Sequence, residues 1–255
     1  MRNLFSVEGK VALVTGGSRG IGEMIARGYV ENGAKVYVSS RKAEVCHRVA
    51  EELSQYGTCV SLPFDLSNMA GITGLAAAVA ERESKLDILV NNAGATWGAP
   101  IDEYPEDGWD KTVDLNVKSI FFLTQKLLPQ LRAAATHEEP SRVINIASVN
   151  GIQPPALETY AYSTSKAGCI MLTRHLAKRL APEHILVNAI APGPFQSHMM
   201  AATLARAGDA IAKANPRGRI GTPEDIAGVA IFLASRASAY TTGTVVPCDG
   251  GSAEF

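Results

Sequence analysis

A chain of 255 residues, 46% of them hydrophobic and 19% charged, can bury a sizeable core, which excludes a disordered or fibrous polymer. Its 24 basic and 25 acidic residues leave a net charge of −1 with no basic run, so neither nucleic acid nor an anionic membrane is indicated as a partner. No apolar run approaches the roughly 20 residues of a membrane span, and Met1-Arg2-Asn3-Leu4-Phe5-Ser6 lacks the apolar core of a signal peptide.

Cys46, Cys59, Cys169 and Cys248 form no C-x-x-C pair, so neither a zinc site nor a disulfide framework is implied. Free thiols fit a reducing cytosol, and a soluble cytoplasmic protein is expected. His47, His137, His175, His184 and His198 have no ligand spacing, so no metal is expected.

In chain order, Lys10 to Thr15 is almost wholly apolar, as a strand buried on both faces of a parallel sheet must be. It runs into Thr15-Gly16-Gly17-Ser18-Arg19-Gly20-Ile21-Gly22 and then an amphipathic segment that stops near Asn32-Gly33. Strand, glycine-rich turn and helix together form a phosphate-cradling context. Gly16, Gly20 and Gly22 let the backbone approach a pyrophosphate, and the helix N-terminus offers unpaired N–H groups.

Lys35 to Ser39 reads as the second strand. A fold that takes NAD places an acid near this point to hold the ribose 2′-hydroxyl. Val38, Ser39 and Ser40 supply none, and Arg41 follows. A guanidinium clamps a 2′-phosphate, with Arg19 placed to help, so NADP(H) is the expected cofactor.

Thr58 to Leu62 reads as a third strand, followed by Phe64-Asp65-Leu66 and an alanine-rich helix through Glu81. Leu86 to Val90 is a fourth strand, ending in Asn91-Asn92-Ala93-Gly94. Asp65 and Asn91 stand past strand ends, where adenine and ribose contacts are made in doubly wound sheets. Trp109 to Leu131 reads as one long helix containing Asn116, and Arg142 to Ser148 as the fifth strand.

Tyr160 to Leu180 reads as a helix, with Tyr162 and Lys166 four positions apart on one face. Such a pair is common on ordinary helices. Beside a cation, however, a phenol is suited to move a proton on and off an alcohol or carbonyl oxygen.

His184 to Ile190 is the sixth strand, closed by Ala191-Pro192-Gly193. Pro194 to Ile220 has no clear strand and reads as a helical flap. Thr222-Pro223-Glu224-Asp225 starts a helix, and Val245-Val246 is the seventh strand. With no repeat and no linker, residues 1–255 form one expected domain: an α/β Rossmann fold with a seven-stranded parallel sheet and helices on both faces, and a substrate flap at about 194–220.

Thr15-Gly-x-x-x-Gly20-x-Gly22, Asn91-Asn-Ala-Gly94, Asn116, Ser148, Tyr162-x-x-x-Lys166 and Pro192-Gly193 resemble, in order and spacing, the short-chain dehydrogenases/reductases. The resemblance covers essentially the whole chain. It implies Tyr162 as general acid on a carbonyl oxygen, Lys166 supporting it and holding the nicotinamide ribose, Ser148 bonded to the same oxygen, and Asn116 keeping a water path from Lys166. It implies cofactor contacts at Gly16, Ser18, Arg19, Gly20, Ile21, Gly22, Arg41, Asp65, Leu66, Asn92, Ala93, Gly94, Tyr162, Lys166, Pro192, Gly193 and Ser197, with Ile190 and Ser197 at the carboxamide. It also implies a homotetramer joined through the helices that carry Asn116 and Tyr162. Tyr160, six positions before Lys166, faces elsewhere and is expected in the substrate wall.

Within the family the chain most resembles bacterial 3-oxoacyl-[acyl-carrier-protein] reductases of the rhamnolipid-synthesis type, which implies reduction of a 3-oxoacyl thioester or small carbonyl compound. Carrier-docking reductases resemble one another in basic residues before the fifth strand and after the catalytic helix, where this chain has Glu138-Glu139 and Glu183. Like charges across an interface are costly, so a ketone or thioester not bound to the acidic carrier is expected. Trp97, Ile152, Gln153, Pro154, Met199 and Met200 are expected pocket residues. Sugar-nucleotide epimerases share the Tyr-x-x-x-Lys device, but resemble longer chains with an added domain. A non-catalytic NADP-binding sensor is the other alternative, since fold alone does not prove activity.

Overall fold

The apolar runs become the strands of one sheet in the computed structural model, which describes residues 3–197 and 199–253. His198 lies outside the described residues. The strands are β1 (Val11–Thr15), β2 (Lys35–Ser39), β3 (Cys59–Ser61), β4 (Ile88–Asn91), β5 (Ser141–Ile146), β6 (Ile185–Pro192) and β7 (Val245–Cys248). They are all parallel, in the order β3-β2-β1-β4-β5-β6-β7. The order reverses between β1 and β4, and there the loops leaving the two strands part to opposite faces, opening a crevice at their carboxyl ends.

Alternation along each strand feeds two cores. Ala12, Val14, Val36 and Val38 face one side, packed by α1 (Gly20–Glu31), α2 (Ala43–Leu53) and α8 (Pro223–Ala234). Leu13, Tyr37, Leu89, Val143 and Val187 face the other, under α3 (Met69–Ala80), α5 (Ser119–Ala134) and α6 (Tyr160–Leu180). Both faces are covered, which is why these strands are apolar throughout.

Several boundaries differ from the expected ones. β3 is shorter because it is an edge strand with only β2 to pair with. β5 stops at Ile146, and Ser148 is extended backbone capping a short turn, Val149–Gly151. α2 adds to the expected elements, and its buried Cys46, Val49, Ala50 and Leu53 follow helical spacing.

The expected single helix from Trp109 to Leu131 is three pieces: α4 (Glu106–Val113), a π-helical turn at Asp114–Lys118, and α5. Asn116 sits inside the π turn. Such turns are rare and concentrate at functional sites, because they break the regular backbone bonding and re-aim a side chain.

Candidate active site

The crevice is stitched by Thr15. Its Oγ accepts from the backbone N–H groups of Asn92 (2.9 Å) and Ala93 (3.0 Å), while Asn92 Nδ2 donates to the carbonyls of Thr15 (2.9 Å) and Gly16 (3.2 Å). The exits of β1 and β4 are thereby fixed side by side. The Asn92 Nδ2 donors are thus spent on holding the glycine loop.

Two glycines are demanded by that closeness. Gly16 has φ +63°, and a Cβ there would lie 2.7 Å from Asn92 Nδ2. A Cβ at Gly22 would overlap Gly16 O and Asn92 Nδ2. Gly22→Ala is therefore expected to spread the loop and weaken NADPH binding by at least about tenfold, read as Kd by fluorescence titration, because overpacking a tight site costs about 1–3 kcal/mol.

Arg19 occupies the cap position of α1 without a side-chain capping bond, so the helix's first N–H groups at Gly20, Ile21 and Gly22 have no cap to satisfy them. Ser18 is buried beneath them and Arg19 is exposed. The loop Pro192-Gly193 ends β6, and Ser197 lies against Gly20, whose added Cβ would stand 3.1 Å from the Ser197 β-carbon.

At the end of β2, the hydroxyls of Ser39 and Ser40 are buried and lack a hydrogen-bond partner among the described residues. Arg41 is exposed beside them. Two orphan donors and a guanidinium, with no acid, match a phosphate rather than a ribose hydroxyl. Nothing in the sequence marks these serines beyond their lack of a carboxylate; a short hydroxyl carries no signal until its burial is known.

Asp65 Oδ1 accepts from Ser67 N at 3.0 Å, and the Leu66 side chain is part of the core. Asn91 must be corrected. Its amide is buried and donates to Thr124 Oγ1 (3.2 Å) and Asn145 Oδ1 (2.9 Å), and Asn145 in turn donates to Thr173 Oγ1 (2.9 Å). It ties the sheet to α5 and α6, so its side-chain amide nitrogen is not free for an adenine or ribose.

On the other side of the crevice the first turns of α6 meet β5. Lys166, 4% exposed, donates from Nζ to Ile146 O at 2.7 Å and stands 5.7 Å from the Tyr162 ring centroid. Ser148 is 6% exposed, and its Oγ accepts from Asn150 N at 3.1 Å, which leaves its own proton for another acceptor. The turn after Ser148 rests on α6, because a Cβ at Gly151 would come 2.6 Å from the Lys166 carbonyl carbon.

Asn116 completes the group. Its amide brackets Ala95, accepting from N (2.8 Å) and donating to O (2.9 Å), and also donates to Ser165 Oγ (2.9 Å), which donates to Tyr162 O (2.8 Å). The Gly94 methylene lies between Asn116 Oδ1 and Lys166 Nζ, 3.1 and 3.7 Å from where its Cβ would be. Ser165 was not singled out in the sequence, where it reads as an ordinary helix serine.

Tyr160 does face elsewhere. Its ring meets Tyr104 edge-on at 5.7 Å and its hydroxyl donates to Glu158 at 3.0 Å. Partial burial and the Glu158 carboxylate hold its phenol above the usual tyrosine range. Trp97, in the segment after β4, packs its ring against α4, so close to Gly108 that a Cβ there would be 2.6 Å away, with Lys111 5.1 Å over its face.

Residues 194–220 contain α7 (Ala201–Ala214), which buries none of its residues and departs from helical backbone at Ala207. Phe195 anchors the root of this segment, pressed by Gly221. A cavity of about 990 Å³ separates α7 from α1, between Leu204 and Ala205 on one side and Glu23, Met24 and Arg27 on the other.

The acids read against carrier docking are not bare. Glu139 pairs with Lys10 (3.0 Å) and Arg236 (3.4 Å), and Glu183 with Arg132 (2.6 Å) and Arg179 (2.5 Å). Those two arginines hold the Glu183 carboxyl below the usual range. Glu138, exposed and facing only His137 at 3.7 Å, is the acid of the three without a lysine or arginine partner among the described residues. Among the described residues no cluster of His, Cys, Asp and Glu could hold a metal ion, and no helix is long and apolar enough to cross a membrane.

Comparison with known proteins agrees with this geometry. A family model described as enoyl-(acyl carrier protein) reductase matches residues 16–253. The rhamnolipids biosynthesis 3-oxoacyl-[acyl-carrier-protein] reductase of Pseudomonas aeruginosa is 52% identical over 98% of this chain and 99% of its own length. The 3-oxoacyl-[acyl-carrier-protein] reductase FabG of Chlamydia pneumoniae is 36% identical over 95% of this chain and 96% of its own. The solved Pseudomonas aeruginosa RhlG/NADP active-site complex superposes with a TM-score of 0.96 at 51% identity, covering 100% of both chains. The chain belongs to the short-chain dehydrogenase/reductase family.

Proposed function

We propose that this protein reduces the ketone of a 3-oxoacyl thioester to the secondary alcohol at the expense of NADPH. It is an NADP-dependent oxidoreductase acting on a ketone. The observation that carries the proposal is Tyr162 beside the buried Lys166, whose ammonium reaches Ile146 O two residues before the buried Ser148, together with an uncapped helix start and the orphan hydroxyls of Ser39 and Ser40.

NADPH, when bound, supplies a hydride. Its pyrophosphate fits the N–H groups of Gly20, Ile21 and Gly22 and the cradle at Gly16 and Ser18. Its 2′-phosphate fits Ser39, Ser40, Arg41 and Arg19, while Asp65, the Leu66 backbone, Ala93 and Gly94 flank the adenosine side. Pro192, Gly193 and Ser197 close the nicotinamide end.

Ser148 Oγ–H and the Tyr162 phenol are the two donors for a substrate oxygen on which negative charge grows, and preorganised donors are most effective where charge develops. Tyr162 then gives its proton to that oxygen. The buried Lys166 ammonium offsets the charge left on the phenol. Asn116, bonded to Ser165 and Ala95, keeps this turn of α6 in place and borders the route by which Lys166 reaches water. The residues at 194–220 serve as the flap over the substrate, the remainder of the chain being one domain.

A cytoplasmic homotetramer is part of the same reading. Phe121 on α5, which follows the π turn of Asn116, and Met171 on α6, which carries Tyr162, leave apolar side chains exposed, as a face covered by further copies would.

The test is a panel of 3-oxoacyl thioesters on coenzyme A and on acyl carrier protein, with small ketones, each assayed for NADPH consumption. Thioesters are expected to exceed small ketones in kcat/KM by at least about tenfold, through added contacts along the acyl chain. No consumption with any of them would overturn the reading. The two thioester arms decide whether the carrier itself is recognised.

A further inference from the structure

Three elements that shape the site are joined by one short segment at the end of β7, which the mechanism above does not use. Gly193, at the cofactor end of β6, donates from its backbone N to Cys248 O at 3.0 Å, and a Cβ on it would come 2.8 Å from the Asp249 α-carbon. Asn215, 6% exposed just after α7, donates from Nδ2 to Asp249 O at 2.7 Å. Gly250 and Gly251, both with positive φ, press on Asn215 and Pro216. Ser252 O accepts from Gln153 Nε2 at 3.2 Å, and Gln153 belongs to the stretch that follows Ser148.

The shape of this segment is held from within by one carboxylate. Asp249 Oδ1 accepts from Gly251 N at 3.0 Å, and Oδ2 accepts from Ser252 Oγ at 3.3 Å and Ala253 N at 2.7 Å. Three donors on one carboxylate fold the chain back so that the Ser252 carbonyl reaches Gln153. Without them the turn has two glycines in sequence and little to define it.

We propose that Asp249 is a positioning residue for substrate binding: by folding residues 250–253 it fixes the Gln153 wall of the pocket against the root of the flap. The proposal rests on the reading of the site as a 3-oxoacyl thioester reductase. Asp249 acts through Gln153 and Asn215, so its loss loosens the walls that grip the acyl part without removing a group that touches the reacting atoms.

The experiment compares the full chain with D249A, D249N, Q153A and D249A/Q153A, measuring KM and kcat for a 3-oxoacyl-coenzyme A with NADPH, and Kd for NADPH alone. D249A is expected to raise the thioester KM about tenfold with kcat and NADPH Kd within about twofold, as loss of uniform binding through two or three hydrogen bonds does. D249N, which keeps an acceptor oxygen for Ala253, is expected to fall between D249A and the unaltered protein. Q153A is expected to raise KM several-fold, and the double variant to add little to D249A because both act on one contact.

A wild-type KM in D249A overturns the proposal. So does a D249A that loses kcat and NADPH affinity together while Q153A behaves as the unaltered protein, since that is a folding defect only. If D249A does not fold, D249N and Q153A decide: wild-type KM in both overturns the proposal. Absence of thioester turnover by the unaltered protein would instead sink the reductase reading itself.

Discussion

Tyr162→Phe is expected to lower kcat for ketone reduction by about 10³-fold while leaving the NADPH Kd within about twofold, since a positioned general acid contributes roughly 10² to 10⁴. The substitution removes one oxygen and little else. The ring stays half-buried on α6, and the Lys166 ammonium 5.7 Å from its centroid keeps both its aromatic neighbour and its bond to Ile146 O. The backbone carbonyl of Tyr162 still accepts from Ser165, so the link to Asn116 survives. Separate measurement of binding and turnover matters, because it distinguishes a catalyst from a protein that only senses NADPH. A phenylalanine variant retaining more than about a tenth of kcat would remove Tyr162 from the role of acid.

The legible parts of this chain were those whose signal is periodic or covalent. Buried parallel strands must be apolar on both faces, so the strands at Val11–Thr15, Lys35–Ser39 and Ile88–Asn91 announce themselves. The glycine loop does so as well, because only glycine fits at Gly16 and Gly22. Tyr162 and Lys166 stand on one helix, where spacing alone puts them on one face. What the sequence hid are contacts between residues far apart in it. Asn91 and Asn92 are adjacent, yet one is consumed by a network running to Thr173 and the other by the loop after β1. Alternation along the strand sends them to different places, and nothing local tells which of two asparagines will be buried.

The π turn at Asp114–Lys118 was hidden for another reason. Its residues carry ordinary helical propensity, and the insertion shows only as a shift in register between α4 and α5. Charge pairing was hidden on the same ground. Glu139 and Glu183 look like unopposed acids in the sequence, but the cations that meet them, Lys10, Arg236, Arg132 and Arg179, come from distant stretches. Charge patterning along a chain is a weak guide where the fold brings distant termini of strands together.

Reversing the charge at the end of β2 is expected to invert the cofactor preference. Arg41→Glu should lower kcat/KM for NADPH by about 10²-fold and leave that for NADH unchanged or higher. A hydrogen bond to a charged group is worth about 1.5–3 kcal/mol, or roughly 10- to 150-fold, and an added carboxylate repels the 2′-phosphate besides. The site argues for a phosphate on two counts that are independent of each other. Arg41 supplies charge at an exposed position, where water screens it and its contribution falls toward the lower end of that range. Ser39 and Ser40 supply buried hydroxyls without partners among the described residues, and a buried polar group left unpaired costs about 1–3 kcal/mol. Ser40→Ala should therefore weaken NADPH several-fold and also raise Tm slightly in the absence of cofactor, because it removes an unsatisfied group. A loss of NADPH affinity in Arg41→Glu matched by an equal loss for NADH would show that the guanidinium holds the loop rather than the phosphate, and the 2′-phosphate site would have to be placed elsewhere.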